Sequence, residues 1–145
     1  MPAIQIYLAS ASPRRRELLR QIGVAYRLLA VTIDETPLPD ERPQAYVARL
    51  ARTKAQVGVQ TLGRRKPRPV LGADTAVIIN DLILGKPRDR QEGLAMLAQL
   101  SGCEHQVLSA VALSTSTHAA VKVQESRVRF RELTPAQKAL MLSAR

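Results

Sequence analysis

The start of the chain restricts the fold most, because a strand pattern there passes directly into the start of a helix. Residues 4–9 alternate in polarity and are rich in β-forming side chains, which predicts a strand. Ser12 then suits the N-cap of a helix and Pro13 its first position, while Gly23 predicts where that helix ends. A strand that leads into a helix within so few residues is typical of α/β proteins.

The rest of the chain continues this mixture of strands and helices. The patterns predict strands at 26–31, 70–79, 82–84, 105–114 and 119–131, and helices at 43–57, at 89–99 and from Thr134-Pro135 onward. They also predict that Asp74-Thr75 interrupts the strand at 70–79 and that 61–69 is a surface loop. Since no repeat or linker divides the chain, we expect one α/β domain over residues 1–145, with a mixed twisted sheet and flanking helices.

Composition narrows the class of protein. A chain of 145 residues with 46% hydrophobic content can bury a core without disulfides or a structural metal. Cys103 is its single cysteine, which excludes an intramolecular disulfide and favours a reducing compartment. No apolar run approaches the roughly 18 residues that cross a bilayer. We therefore expect a soluble, cytoplasmic protein without a membrane partner.

The charge balance points to a phosphorylated ligand. The chain has 22 Lys+Arg against 12 Asp+Glu, which gives a net charge of +10, and most of the cations are arginines. The planar guanidinium matches phosphate oxygens well. An aromatic content of 3% leaves few platforms on which nucleic-acid bases could stack. A small phosphorylated ligand is therefore expected ahead of a nucleic acid.

Two serines and two arginines at the first strand-to-helix junction could form a phosphate cradle. They are Ser10, Ser12, Arg14 and Arg15. The free N–H groups at a helix N-terminus favour an anion, and hydroxyls and guanidinium groups would complete its contacts. An ordinary capped helix with a basic first turn would show the same pattern.

Acidic residues in two places could hold a cation. Asp74 lies inside an apolar strand pattern, where an ionised carboxylate needs a metal, a cationic partner or a reacting proton. Asp34-Glu35 forms a second acidic point, and Mg²⁺ prefers one or two carboxylates together with water and phosphate. A structural aspartate at a turn remains the alternative for Asp74. Lys54 and Lys86 could equally be solvated surface lysines.

Taken together and in order, these motifs resemble the Maf family of nucleotide pyrophosphatases. The motifs are Ser10-Ala11-Ser12-Pro13-Arg14-Arg15, Asp34-Glu35, Tyr46 to Arg52 followed by Lys54-Ala55, Gly72-Ala73-Asp74-Thr75, Gly85-Lys86-Pro87 and Leu100-Ser101-Gly102. The resemblance runs from about Ile6 to Thr134. It implies a Maf/ITPase-like fold with a cleft between two lobes, and hydrolysis of a nucleoside triphosphate between its α- and β-phosphates.

The resemblance also implies a substrate and roles for individual residues. Arg14 and Thr75 match the branch that acts on dTTP and UTP, and differ from the branch that acts on 7-methyl-GTP. The residues that would bind the substrate are Ser10, Arg14, Arg15, Lys54, Thr75 and Lys86. Glu35 and Asp74 would hold a divalent ion, Mg²⁺ or Mn²⁺, against the phosphates. Asp74 would be the general base for the attacking water, or a metal ligand alone.

One departure from the family pattern concerns the C-terminus. Family members normally continue through an Asp-Lys-Ala-Gly stretch and an Ile-Gln-Gly turn, so we expect a Maf-like domain that lacks this segment. The alternative function is therefore a non-catalytic nucleotide- or nucleic-acid-binding protein, inactive through truncation. The resemblance is also compatible with a homodimer.

Overall fold

The protein has a mixed α/β architecture in a computed structural model that describes residues 3–10, 12–63 and 68–143. The elements follow the chain as β1 (Ile6–Ala9), α1 (Pro13–Gln21), β2 (Tyr26–Leu28), α2 (Pro43–Leu62), β3 (Val70–Ile79), β4 (Leu82–Leu84), α3 (Arg90–Leu100), β5 (Glu104–Ser114), β6 (Ala119–Arg129) and α4 (Pro135–Ser143). The predicted fold class, a mixed sheet with helices, is confirmed. No helix within the described ranges is long and apolar enough to span a bilayer.

The strands form one six-stranded sheet. Its order is β2-β1-β3-β5-β6, and β4 pairs with β3 in an antiparallel hairpin. β1 is parallel to both β2 and β3, and Ala9 at its end pairs with Gly72. Ser10 follows Ala9 directly and Asp74 lies two residues after Gly72, so both residues lie just beyond this paired position of β1 and β3. The carboxyl ends of parallel strands are where α/β proteins usually bind their ligands.

The chain divides into two compact units. The first consists of Met1–Asp74 and Ser109–Gln124, and the second of Thr75–Leu108 and Glu125–Arg145. In the first unit the buried core comes from β1, α2 and the start of β3, and includes Leu8, Val47, Leu50, Ala55 and Val70. The single domain over residues 1–145, with a cleft between two lobes, stays a prediction.

The second unit contains the β3–β4 hairpin and helices α3 and α4. Asn80 and Asp81 both have positive φ, 51° and 61°, as a two-residue hairpin turn requires. Asp89 is the N-cap of α3, and its side chain accepts a hydrogen bond of 2.8 Å from Glu92 N. The helix predicted at 89–99 is thus confirmed, with Asp89 as its N-cap.

Gly72 brings α2 of the first unit directly onto β3. A Cβ at this position would overlap the Ala51 carbonyl oxygen and lie 2.7 Å from Ala55 N. Only glycine allows the helix backbone to approach so closely. The contact sets the face of α2 that carries Lys54 against the strand that carries Asp74.

The structure differs from the sequence-based expectations in β2, β3 and α2. β2 ends at Leu28, although its strand was predicted to continue to residue 31. β3 runs without interruption through Asp74-Thr75, which were predicted to break it. The charge of Asp74 is balanced by Lys54, so the strand can keep the carboxylate in place. α2 extends to Leu62, beyond the predicted end near residue 57 and into the predicted loop at 61–69. Gly58 and Leu62 continue its buried face, and this packing outweighs the weak helix propensity of glycine.

Candidate active site

A lysine ammonium group between two carboxylates forms the centre of the candidate site. Lys54 Nζ lies 3.3 Å from Asp74 Oδ1 and 3.6 Å from Glu35 Oε1. It also donates a hydrogen bond of 3.2 Å to the carbonyl oxygen of Ala73. The Lys54 and Asp74 side chains are 16% and 13% exposed, whereas that of Glu35 is 56% exposed. The site is therefore half-closed, with its more accessible carboxylate on the solvent side.

The electrostatics of this centre favour a proton on Asp74 more than is usual for an aspartate. Burial raises the pKa of Asp74, and the negative charge of Glu35 raises it further. The ammonium group of Lys54 opposes this rise through its charge and its hydrogen bond, and Arg15 opposes it through its charge. A carboxylate with a raised pKa is a stronger base, which suits the transfer of a proton near neutral pH.

The predicted cradle lies at the junction of β1 and α1. Ser10 Oγ accepts hydrogen bonds from Arg15 Nη1 at 3.0 Å and from the backbone N–H of Ser12 at 3.2 Å. Burial lowers the pKa of Arg15, and the charge of Asp74 opposes this change. Ser12 is the N-cap of α1, but its side chain makes no capping hydrogen bond. The first turn of α1 therefore keeps N–H groups that can meet an anion. Ala11 lies outside the described residues.

Five of the predicted site residues make side-chain contacts with one another within the first unit. They are Ser10, Arg15, Glu35, Lys54 and Asp74. Arg14 is also in this unit, but its side chain is exposed and pairs with none of the described residues. Thr75 follows Asp74 in β3 and is exposed. Lys86 is exposed in the second unit. The predicted roles of all eight residues stay predictions.

Glu35 lies in a stretch without regular structure, and residues from α2 hold it. We call residues 34–41 the acidic loop. Tyr46 Oη donates a hydrogen bond of 2.6 Å to the Glu35 carbonyl oxygen. Arg49 Nη2 donates one of 3.0 Å to the Thr36 carbonyl oxygen and pairs with Glu41. The sequence assigned no role to Tyr46 or Arg49. Tyr46 and Arg49 are three residues apart on α2 and are therefore neighbours on its surface, which is the signal that could have found them.

The two carboxylates suit a divalent ion held jointly with a substrate. Glu35 and Asp74 already approach one positive group, the ammonium of Lys54. Mg²⁺ takes one or two protein carboxylates and fills its remaining positions with water and phosphate oxygens. Within residues 3–10, 12–63 and 68–143, no three His, Cys, Asp or Glu side chains are placed to hold a metal ion together. Glu35 and Asp74 are the described residues that could hold such an ion together with phosphate oxygens.

An apolar cavity adjoins the cradle. It has a volume of about 240 Å³ and is lined by Ser10 and by residues 28–31. A cavity of about 410 Å³ in the second unit is lined by residues 79–80, 82–84, 99 and 103–104, and its lining includes none of the predicted site residues. The lining of the cavity beside Ser10 thus includes a predicted phosphate contact.

Comparison with known proteins identifies relatives of high sequence similarity. The family described as Maf-like protein matches residues 5–144. A dTTP/UTP pyrophosphatase of Alcanivorax borkumensis is 52% identical over 135 residues, which cover 91% of this chain and 68% of that protein. A dTTP/UTP pyrophosphatase of Escherichia coli K12 is 50% identical over 129 residues, with 89% and 64% covered. The chain thus spans about two thirds of the length of these relatives.

Solved structures share the fold at lower identity. A nucleoside-triphosphatase / dITP/XTP pyrophosphatase from Mycobacterium abscessus superposes with a TM-score of 0.57 at 21% identity, over 84% of this chain and 72% of that one. The Ham1 protein of Staphylococcus aureus gives 0.55 at 15% identity, with 85% and 69% covered. At these identities the likeness shows the fold alone, and it agrees with the predicted ITPase-like architecture.

Proposed function

The chain belongs to the Maf family, and from this premise we propose that it hydrolyses dTTP and UTP to the nucleoside monophosphate and pyrophosphate. Water adds across the anhydride between the α- and β-phosphates, so one P–O bond forms and one breaks. The relatives at about half identity support the choice of substrates. The observation that carries the proposal is the convergence of Lys54 on Asp74 and Glu35 in the unit that also holds the Ser10–Arg15 pair.

Binding of the triphosphate is the first task of the site. Arg15 and the N-terminus of α1 offer N–H donors to phosphate oxygens, and Lys54 adds a positive charge. Ser10 fixes the direction of the Arg15 side chain through their hydrogen bond. The apolar cavity beside Ser10 suits the nucleoside part of the substrate. Arg14, Thr75 and Lys86 are assigned to substrate binding and specificity from the family pattern.

The chemical step needs charge stabilisation and a base. Glu35 and Asp74 would hold Mg²⁺ or Mn²⁺, which supplies Lewis-acid stabilisation of the reacting phosphates when it is bound. Asp74 accepts a proton from the attacking water, and its burial makes the carboxylate a better base. Before substrate binds, Lys54 balances the negative charges of Glu35 and Asp74. Arg15 helps to stabilise the negative charge that develops on the phosphates during the reaction.

We also propose that the protein acts in the cytoplasm and forms a homodimer. The exposed free thiol of Cys103 suits a reducing compartment. Light scattering of the purified chain measures the oligomeric state directly, and a monomer at micromolar concentration would contradict the dimer.

A substrate panel tests the proposed function. Pyrophosphate release is measured from dTTP, UTP, CTP and 7-methyl-GTP, each with Mg²⁺, with Mn²⁺ and with a chelator. We expect turnover of dTTP and UTP only when a divalent ion is present. Turnover of 7-methyl-GTP in preference to dTTP would contradict the substrate assignment, and full activity in chelator would contradict the metal.

The same panel separates the enzyme from a protein that only binds nucleotides. A folded wild-type chain without turnover, whose affinity for dTTP survives in Asp74→Asn and falls mainly as salt rises, would favour binding without catalysis. The net charge of +10 supplies the attraction that such a binder would use.

A further inference from the structure

We propose that Tyr46 and Arg49 are positioning residues, which hold the acidic loop so that the Glu35 carboxylate reaches Lys54 and Asp74. This inference rests on the proposed function where it assigns a task to Glu35. The positioning role of Tyr46 and Arg49 rests on the hydrogen bonds and the ion pair that the structure shows.

Glu35 needs such support because its own surroundings provide little. Its side chain is 56% exposed, and the segment from 29 to 42 contains neither helix nor strand. Each backbone residue outside regular structure keeps conformational freedom that must be lost when the residue is held in one position. If this segment were not held, the Glu35 carboxylate would occupy many positions, and in only a few of them would it lie close enough to pair with Lys54.

Tyr46 binds the acidic loop at Glu35, the residue whose carboxylate reaches Lys54. Its Oη donates a hydrogen bond of 2.6 Å to the backbone carbonyl oxygen of Glu35 itself. The tyrosine ring is fixed in turn by the Arg49 guanidinium, whose carbon lies 5.6 Å from the ring centroid. The hydrogen bond restrains the Glu35 backbone without using its carboxylate, which stays available to a cation.

Arg49 fixes the rest of the acidic loop. Its Nε and Nη2 donate hydrogen bonds of 2.7 Å and 2.9 Å to the two carboxylate oxygens of Glu41. Nη2 also donates to the Thr36 carbonyl oxygen. The Glu41 side chain is 7% exposed and accepts a further hydrogen bond of 3.1 Å from Leu38 N. One guanidinium group therefore ties both ends of the loop to α2 with bidentate geometry, which a lysine could not reproduce.

The same helix carries Lys54, so α2 sets both partners of the contact. Tyr46, Arg49 and Lys54 occupy one continuous helix that packs against β3. A rigid helix that binds the acidic loop at one point and supplies the ammonium group at another fixes the distance between Glu35 and Lys54. Arg49 and Tyr46 thus act on the reaction through Glu35.

Two kinds of measurement test the inference. The first is hydrogen exchange of the loop backbone in Tyr46→Phe and Arg49→Gln, which needs no substrate. Tyr26→Phe and Arg88→Gln are the matched controls, because Tyr26 is a half-buried tyrosine of β2 and Arg88 forms an ion pair with Glu92 at 2.8 Å in the second unit. We expect faster exchange within residues 34–41 in the two test variants and not in the two controls. Unchanged exchange would overturn the inference.

The second measurement is a double-mutant cycle with Glu35→Gln. We expect kcat/KM to fall about tenfold in Tyr46→Phe, as loss of a hydrogen bond of roughly 1.4 kcal/mol would produce. In the Glu35→Gln background the same change should alter kcat/KM less than about twofold, because the residue it positions is already lost. Equal losses in both backgrounds would show a general structural role and overturn the inference.

The two measurements keep this inference separate from the proposed function. Absence of turnover in the wild-type chain would overturn the proposed function, while hydrogen exchange would still decide whether Tyr46 and Arg49 hold the loop. Electron paramagnetic resonance of added Mn²⁺ provides a readout without catalysis. Weaker Mn²⁺ binding in Arg49→Gln than in Arg88→Gln supports the positioning of Glu35, and equal binding contradicts it.

Discussion

Lys54 Nζ lies 3.3 Å from Asp74 Oδ1, so the more buried carboxylate of the site is paired with an ammonium group from helix α2. The pair joins two elements whose approach depends on Gly72, since no side chain fits between α2 and β3 at that position. Burial still outweighs the pairing, because the net effect on the pKa of Asp74 is a rise. The fold therefore holds a carboxylate that would be more stable with a proton.

The first prediction concerns the stability of Asp74→Asn. Because burial raises the pKa of Asp74, the ionised form destabilises the folded state. The ordinary pKa of an aspartate is about 3.9, and the pKa of Asp74 in the folded protein is higher. Protonated Asp74 therefore contributes stability in acid, and this contribution is lost as the pH rises through the pKa of the folded state. Asparagine carries no such charge, so the variant should equal the wild type in acid and match or exceed it at neutral pH. Urea denaturation across this pH range measures the difference.

Asp34→Asn is the matched control with the opposite sign. Hydrogen bonding to Thr36 lowers the pKa of Asp34, so its ionised form stabilises the fold above the ordinary pKa and this stability is lost in acid. Asp34→Asn should therefore be less stable than the wild type at neutral pH, with a difference that vanishes in acid. If Asp74→Asn is also less stable than the wild type at neutral pH, with a difference that vanishes in acid, the account is contradicted.

The second prediction concerns Gly72→Ala. The added Cβ would overlap the Ala51 carbonyl oxygen, so α2 must shift away from β3. We expect a loss of about 1–3 kcal/mol in the free energy of unfolding, as overpacking usually gives. Turnover should fall further than this loss explains, because Lys54 moves with the helix. Gly85→Ala is the control for stability, since a Cβ there meets nothing within 4 Å. Equal stability of the two variants would contradict the prediction.

The third prediction concerns the pH profile of Lys54→Gln. The charge and the hydrogen bond of Lys54 lower the pKa of Asp74, so their removal lets it rise further. A base with a higher pKa is already protonated at a higher pH, so the enzyme loses activity at a higher pH when the solution is acidified. The acid limb of kcat/KM should therefore move to higher pH in Lys54→Gln. Lys122→Gln removes an equal charge from an exposed position on β6 and should leave the limb in place. A shift to lower pH would exclude Asp74 as the base.

The fourth prediction concerns the cradle. Arg15 donates a hydrogen bond to Ser10 Oγ and is half-buried, whereas Arg20 on the same helix is exposed. Arg15→Gln should raise KM for dTTP about tenfold or more, which is typical of a lost hydrogen bond to a charged group. Arg20→Gln should change KM far less, although it removes the same charge from α1. Similar values for the two variants would show that α1 attracts the substrate by charge alone.

Much of the fold and the centre of the site could be predicted because their signals are local. The junction of β1 and α1 follows from Ser12 and Pro13, which suit a helix start whatever lies around them. The carboxylate of Asp74 inside an apolar strand pattern also predicts a charged partner without any structure. The ordered motifs then assigned Lys54 and Glu35 from the family pattern, and the structure places both against one another.

The features that were missed depend on contacts between distant parts of the chain. β3 continues through Asp74 because Lys54 lies opposite, which no strand pattern contains. Gly72 is needed because a helix backbone covers it, and that approach cannot be read from its neighbours in sequence. Tyr46 and Arg49 bind a loop that precedes their helix, and their role becomes visible only when both are in place.

The most direct test of the central claim is identification of the products that wild type and Asp74→Asn form from dTTP. With Mg²⁺ or Mn²⁺ present, the wild-type chain should form dTMP and pyrophosphate in equal amounts. Asp74→Asn should be slower by about two to four orders of magnitude, the usual contribution of a positioned base. Formation of dTDP and orthophosphate would place the cleavage at another bond, and wild-type rates in a folded Asp74→Asn would contradict the account.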